Sequence, residues 1–135
     1  MIFWIHFSIT WAMIGAVWFV LIVHYPSYKF LSEDRFTEFE KFHIQRTQIL
    51  VSPMMFVEAI TAIILALQGG LFIFNAALLA LIWILTFVWC VPGHSCLLKG
   101  FSLPVFRRLI LVHAARVGLW TLRGLLLLFL LVFTT

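Results

Sequence analysis

A chain of 135 residues that is 64% hydrophobic and only 10% charged, with a mean hydropathy of +1.15, lacks the polar surface that a soluble domain of this size needs. Its net charge of +4 is small, and its basic residues form no patterned surface. Nucleic acid is therefore not an expected partner, and the lipid bilayer is the expected surroundings.

From Met1 to Tyr28 there is no Asp, Glu, Lys or Arg; from Thr47 to Leu98 only Glu58 breaks the run, and from Val117 to Thr135 only Arg123. A spanning helix needs roughly 20 apolar residues, so these stretches predict one, two and one membrane helices. The fold class is all-α: an integral membrane, up-down-up-down four-helix bundle forming a single domain over residues 1–135, with helices over about 2–24, 33–67, 71–91 and 105–133. The first segment carries no basic residue ahead of it and no small-residue cleavage site behind it, so it reads as a retained helix rather than a signal peptide.

Ser32 followed by Glu33 and Asp34 reads as the start of the second helix, with a capping hydroxyl and two acids at the positive end of the dipole. Phe36, Phe39, His43 and Arg46 then recur at helical spacing, which predicts an outer part lying amphipathically at the headgroups before the helix enters the membrane. Gln68-Gly69-Gly70 separates helices two and three as a helix stop. Pro104 suits the first turn of helix four, whereas Pro53 and Pro92 are expected to kink or end their helices.

Lys29, Arg35, Lys41 and Arg46 surround the first loop and Lys99, Arg107 and Arg108 the third, while the second loop and both termini carry no Lys or Arg. By the positive-inside rule both termini face outward and loops one and three lie in the cytoplasm. At about 1.5 Å per residue from the outer helix ends, Glu58 lies about 15 Å down and Arg123 about 17 Å. These two mid-membrane charges are expected to form an ion pair, because hydrocarbon tolerates such groups only when they face inward and find partners.

The same count puts His24, His94 and His113 about 31 to 35 Å from the outer surface and His43 slightly further, so four histidines from four helices converge at the cytoplasmic end. On helix four His113, Arg116, Trp120 and Arg123 share one stripe; on helix two His43, Thr47, Leu50, Met54 and Glu58 are expected to share another. Imidazole suits iron, copper and zinc, and bundles build such sites from facing helices. His24, His43, His94 and His113 are therefore the candidate metal ligands, with Glu58 as the one acid in the hydrocarbon region that can complete or support them. Arg46, Arg116, Trp120 and Arg123 are the candidate cofactor-binding residues. His6, near Trp4 and Trp11, reads as an interfacial residue, and the tryptophans read mainly as belt or packing residues.

Cys90 and Cys96 lack zinc-type spacing and read as packing residues, although His94-Ser95-Cys96 offers a second soft ligand. Glu40-Lys41-Phe42-His43 has the Glu-x-x-His spacing of di-iron bundles, but no second copy occurs on another helix. Phosphate-loop, nucleophile-elbow and H-E-x-x-H motifs are absent from the sequence.

His24-Tyr25-Pro26, Phe42-His43 with Arg46, Pro53-Met54 with Glu58, Pro92-x-His94 with Gly100-Phe101, and Arg116, Trp120 and Arg123 together resemble a family of small, functionally unassigned bacterial membrane proteins. More loosely, the layout is similar to the four-helix haem-containing protoporphyrinogen oxidase, copper-resistance D and anthrone-oxygenase-like families. With the first of these it shares His6, Trp11, His24, Tyr25, Arg46, Pro53 and Met54, with the Tyr and His order reversed and no counterpart to Glu58 or His94. The family it resembles over nearly the whole chain implies a bacterial inner membrane and no particular activity; the looser likeness adds a haem b oxidoreductase only as an alternative. The residues themselves leave three readings open: a site for a transition metal ion (iron, copper or zinc), redox-active on a small-molecule substrate; a haem site; or a non-enzymatic module or small carrier whose Glu, Arg and His column binds an ion or organises a homo-oligomer.

Overall fold

The computed structural model describes residues 1–134; Thr135, the last residue of the expected domain, lies outside them. Four helices long and apolar enough to cross a membrane account for nearly all of it: α1 Ile2–Phe30, α2 Glu33–Ala66, α3 Leu71–Leu97 and α4 Leu103–Thr134. Each packs on the next and α4 packs back on α1, which closes the expected four-helix bundle. The faces turned outward carry large apolar side chains along every helix, as lipid contact requires. This is a membrane protein.

Pro26 and Pro92 each follow a local change of helical pitch and end neither helix. α1 does not end at His24 nor α3 at Val91. In each, a five-residue π-helical turn, Val20–His24 or Thr86–Cys90, ends two residues before the proline, Pro26 or Pro92. There Tyr25 N–H reaches back five residues to Val20 O, and Val91 N–H does the same to Thr86 O. A proline inside a regular helix clashes with the carbonyl four residues back and offers it no N–H. The wider π turn relieves that conflict, so the helix continues past it. Pro53 sits within the uninterrupted helix Glu33–Ala66 and does not end it. Between α2 and α3 the chain reverses at Gly69 and Gly70, with φ of +81° and +57°, a backbone region that a side chain would make costly.

The outer part of α2 is amphipathic, as expected, with its buried face turned into the bundle. Ser32 is its N-cap, but its hydroxyl makes no capping bond. Phe36 is buried against Tyr28 and Phe101, at ring distances of 5.5 and 4.9 Å, and Glu40 is buried as well. The inward stripe of α2 runs through Phe36, Glu40, His43, Met55, Glu58, Ala62 and Leu65, while Leu50 is exposed. Its buried polar residues define the face; Leu50, being apolar, can face lipid at no cost.

The middle of the bundle is held by one polar network to which every helix contributes. Arg123 on α4 pairs through Nη1 with Glu58 Oε1 on α2, both side chains wholly buried. Thr10 of α1 donates to Glu58 Oε1 at 3.0 Å, and the Trp120 indole donates to Oε2 at 3.0 Å. Arg123 Nε donates to both Asn75 O and Asn75 Oδ1 on α3, each at 3.2 Å, and Asn75 Nδ2 donates to Arg123 O at 3.3 Å. His6 completes the network rather than sitting at the interface as expected. The Thr61 hydroxyl donates to Val57 O at 2.8 Å, so its oxygen accepts from His6 Nδ1 at 2.8 Å. That leaves the lone pair of His6 Nε2 to face Arg123 Nη2 at 3.4 Å.

Because both charges are desolvated, removing one strands the other. Glu58→Gln or Arg123→Met alone is expected to cost about 3 to 5 kcal/mol, and the double change to recover much of that. Unfolding in detergent, arranged as a double-mutant cycle, measures the coupling; additive losses would mean that the two charges act independently.

Candidate functional site

A second polar layer lies at the end of the bundle where loops one and three meet. α1 delivers His24 as the last residue of its π turn; α2 delivers Glu40 and His43 one turn apart; α3 delivers His94 just after its own π turn and Pro92; α4 delivers His113 and, three residues on, Arg116. The expected convergence of histidines from four helices is present. The His24 and His43 rings stack with centroids 4.0 Å apart and planes 20° from parallel, and His43 and His94 are 5.4 Å apart. His113 joins them through Tyr25, whose ring meets it edge-on at 5.1 Å.

Hydrogen bonds sort these four imidazoles. His113 Nε2 donates to Val17 O on α1 at 3.0 Å, so this ring ties α4 to α1. His94 Nδ1 donates to Glu40 Oε1 at 2.5 Å. The other oxygen of Glu40 accepts from the Tyr28 hydroxyl at 2.7 Å. His43 Nδ1 lies 3.2 Å from Thr47 Oγ1, one turn along its own helix. His24 Nε2 is buried and has no hydrogen-bond partner. A buried polar atom without a partner is uncommon and marks a place where an unseen group fits.

Glu40 is the residue that the sequence reading undervalued. At 1% exposure it is the acid of the histidine layer, and its only sequence signal is the Glu-x-x-His spacing to His43. Glu58, expected to complete or support the histidines, is instead spent on Thr10, Trp120 and Arg123 in the middle network. Trp120 and Arg123 belong to that network too, with their polar atoms engaged there. Arg46 is exposed and lies over the Phe42 ring at 5.4 Å, away from the interior. Of the four expected cofactor-binding residues, Arg116 alone borders the histidine layer.

Arg116 is buried. Its Nη1 donates to Cys90 Sγ at 3.3 Å, its guanidinium lies 5.1 Å from the Trp120 ring, and its Nε has no partner. It lines a cavity of about 290 Å³ between α2 and α3, together with His43, Thr47, Trp83, Cys90 and His94. Cys90 is buried and Cys96 is exposed, and neither is in a disulfide. Among the described residues, no three His, Cys, Asp or Glu side chains are grouped so as to close on one ion.

Comparison of the sequence with family models and curated proteins, and of the fold with solved structures, gives no match. The firmest element of this layer is the Tyr28-Glu40-His94 clasp. Tyr28→Phe should lower stability by about 1 to 3 kcal/mol by leaving a buried carboxylate oxygen unmet, and Glu40→Gln by about 1.5 to 3 kcal/mol by weakening a charge-assisted bond. Thermal unfolding of the purified variants reads both; wild-type stability in each would mean that the clasp does not form.

Proposed function

We propose that this chain is a bacterial inner-membrane protein that binds a first-row transition metal ion through His24, His43 and His94, with Glu40 holding the site from behind. The observation that carries this reading is the pairing of a fixed tautomer with an orphaned nitrogen: His94 gives its Nδ1 proton to Glu40, which bares Nε2, and His24 Nε2 nearby is buried without a partner. Ligating histidines characteristically donate their other ring nitrogen to a carboxylate, which fixes ring and tautomer and raises ligand basicity. Three neutral imidazoles suit iron, copper or zinc, and a bound ion would supply Lewis acidity or a redox couple at this end of the bundle.

An ion is favoured over haem b because His24 and His43 are in face contact, which leaves no slot for a planar macrocycle between them. His113, with Nε2 engaged on Val17 O, serves as a brace. The resemblance of the chain's motifs to four-helix haem and copper proteins supports a redox role. The competing reading is a non-enzymatic membrane module, favoured by the absence, among the described residues, of three side chains closing on one point; in it the layer is a buried polar clasp and nothing more.

Orientation follows from charge. Lys29, Arg35, Lys41, Arg46, Lys99, Arg107 and Arg108 all lie at the histidine end, so that end is cytoplasmic and both termini are outside. Reporters in loops one and three should be reached only from the cytoplasm and tags on either terminus only from outside; a cytoplasmic terminus would invert the scheme.

Metal per protein, measured after gentle purification and after loading with iron, copper or zinc, tests the site itself. Wild type should hold metal stoichiometrically, His24→Ala, His43→Ala and His94→Ala should lose most of it, and His113→Ala should keep it where it stays folded. Visible absorbance in the same samples separates haem from a bare ion. A well-folded wild type that holds neither, even after loading, would leave the module reading in its place.

A further inference from the structure

The cavity between α2 and α3 has a chemistry of its own that metal ligation does not use. It extends along α3 from Trp83 to Ser95, reaching Leu98 just past its end, and along α2 from His43 to Phe56, roughly 20 Å at 1.5 Å per residue. Phe56, Phe87 and Val91 at its edge are exposed on the lipid-facing surface, so it opens sideways toward the bilayer core. Its deeper walls are apolar, with Val51, Met55 and Trp83.

Against those walls stand two buried N–H groups that have no partner, Arg116 Nε and Trp83 Nε1. Arg116 is 8% exposed, and it is the one residue lining the cavity that carries a fixed charge. Among the described residues it forms no ion pair: Glu58 is taken by Arg123, and Glu40 by His94 and Tyr28. An uncompensated guanidinium out of water is costly unless an anion joins it. Two unmet donors also ask for an acceptor, and a planar guanidinium matches a carboxylate.

We propose that this cavity is a binding site for the anion of a long-chain carboxylic acid, which enters sideways from the bilayer, lays its chain along the apolar walls and sets its carboxylate against Arg116. A single chain suits a slot that is long and only about 290 Å³ in volume. One guanidinium suits a monoanion, whereas phosphate headgroups draw clusters of Lys and Arg. His43 and His94 border the same space, so the site adjoins the proposed metal ligands, but the anion needs Arg116 whether or not a metal is bound.

The test uses the full chain in non-ionic detergent, with oleate as the probe and oleyl alcohol and dioleoyl phosphatidic acid as comparators, read by native mass spectrometry and by thermal shift. One oleate per chain is expected, with oleyl alcohol at least tenfold weaker. Arg116→Gln should weaken oleate at least tenfold, and Trp83→Phe, which keeps the wall and removes the N–H, by several-fold. Equal binding of the alcohol, or undiminished oleate binding in a folded Arg116→Gln variant, would overturn the proposal. Preference for phosphatidic acid would overturn the carboxylate in favour of a lipid headgroup. If Arg116→Gln does not fold, the comparison of oleate with its alcohol in wild type still decides. Oleate binding should survive chelator treatment, and metal content should survive Arg116→Gln, so that failure of either site is read separately.

Discussion

A carboxylate and a guanidinium buried together at mid-membrane depth are the constraint on which the rest of this structure depends. Neither Glu58 nor Arg123 can face lipid, and neither can be left alone, so α2 and α4 must meet at one rotation and one height. Thr10, Trp120, Asn75 and His6 satisfy the remaining donors and acceptors and thereby bring α1 and α3 to the same level. Lipid offers little hydrophobic drive for helix association, so polar cross-links of this kind and close packing have to supply it. With four helices fixed in register at the middle, their histidines are carried to a common height at one end.

The π turns act on that end. Each lies just before a proline, and each closes on a residue at the histidine end: His24 in α1, and Cys90 beside Arg116 in α3. An extra residue per turn rotates everything that follows it, and such turns concentrate at functional sites for that reason. The prolines therefore re-aim the ends of α1 and α3 instead of terminating them. Both continue far enough to place Tyr28 and His94 on either side of Glu40.

Much of this was legible because the membrane is an unforgiving solvent. Apolar run length located the helices, and the two isolated charges identified their partner and their depth; counting residues from the outer ends then brought the four histidines together. The stripe His113, Arg116, Trp120 and Arg123 is buried as its spacing implies, since each of its members is penalised in lipid. What escaped had no such penalty to read. Leu50 is at home on either face. His6 has tryptophans close by and looks interfacial until Thr61 and Arg123 are seen across from it. Glu40 lies among exposed acids and bases, where only its Glu-x-x-His spacing sets it apart. Arg46 shares the sequence neighbourhood of His43 but points outward. The extension of α1 and α3 past their prolines depends on a backbone adjustment that residue type alone does not announce.

The polar interior divides into a middle layer that holds the helices and an end layer proposed to bind metal. Metal content of the folded Glu58→Gln/Arg123→Met double variant tests that division most directly, because it removes both charges of the first layer while leaving every proposed ligand of the second. Wild-type metal stoichiometry is expected in this variant, at somewhat reduced stability. Loss of metal from a double variant that remains folded would contradict it, and would make the buried pair part of the metal site.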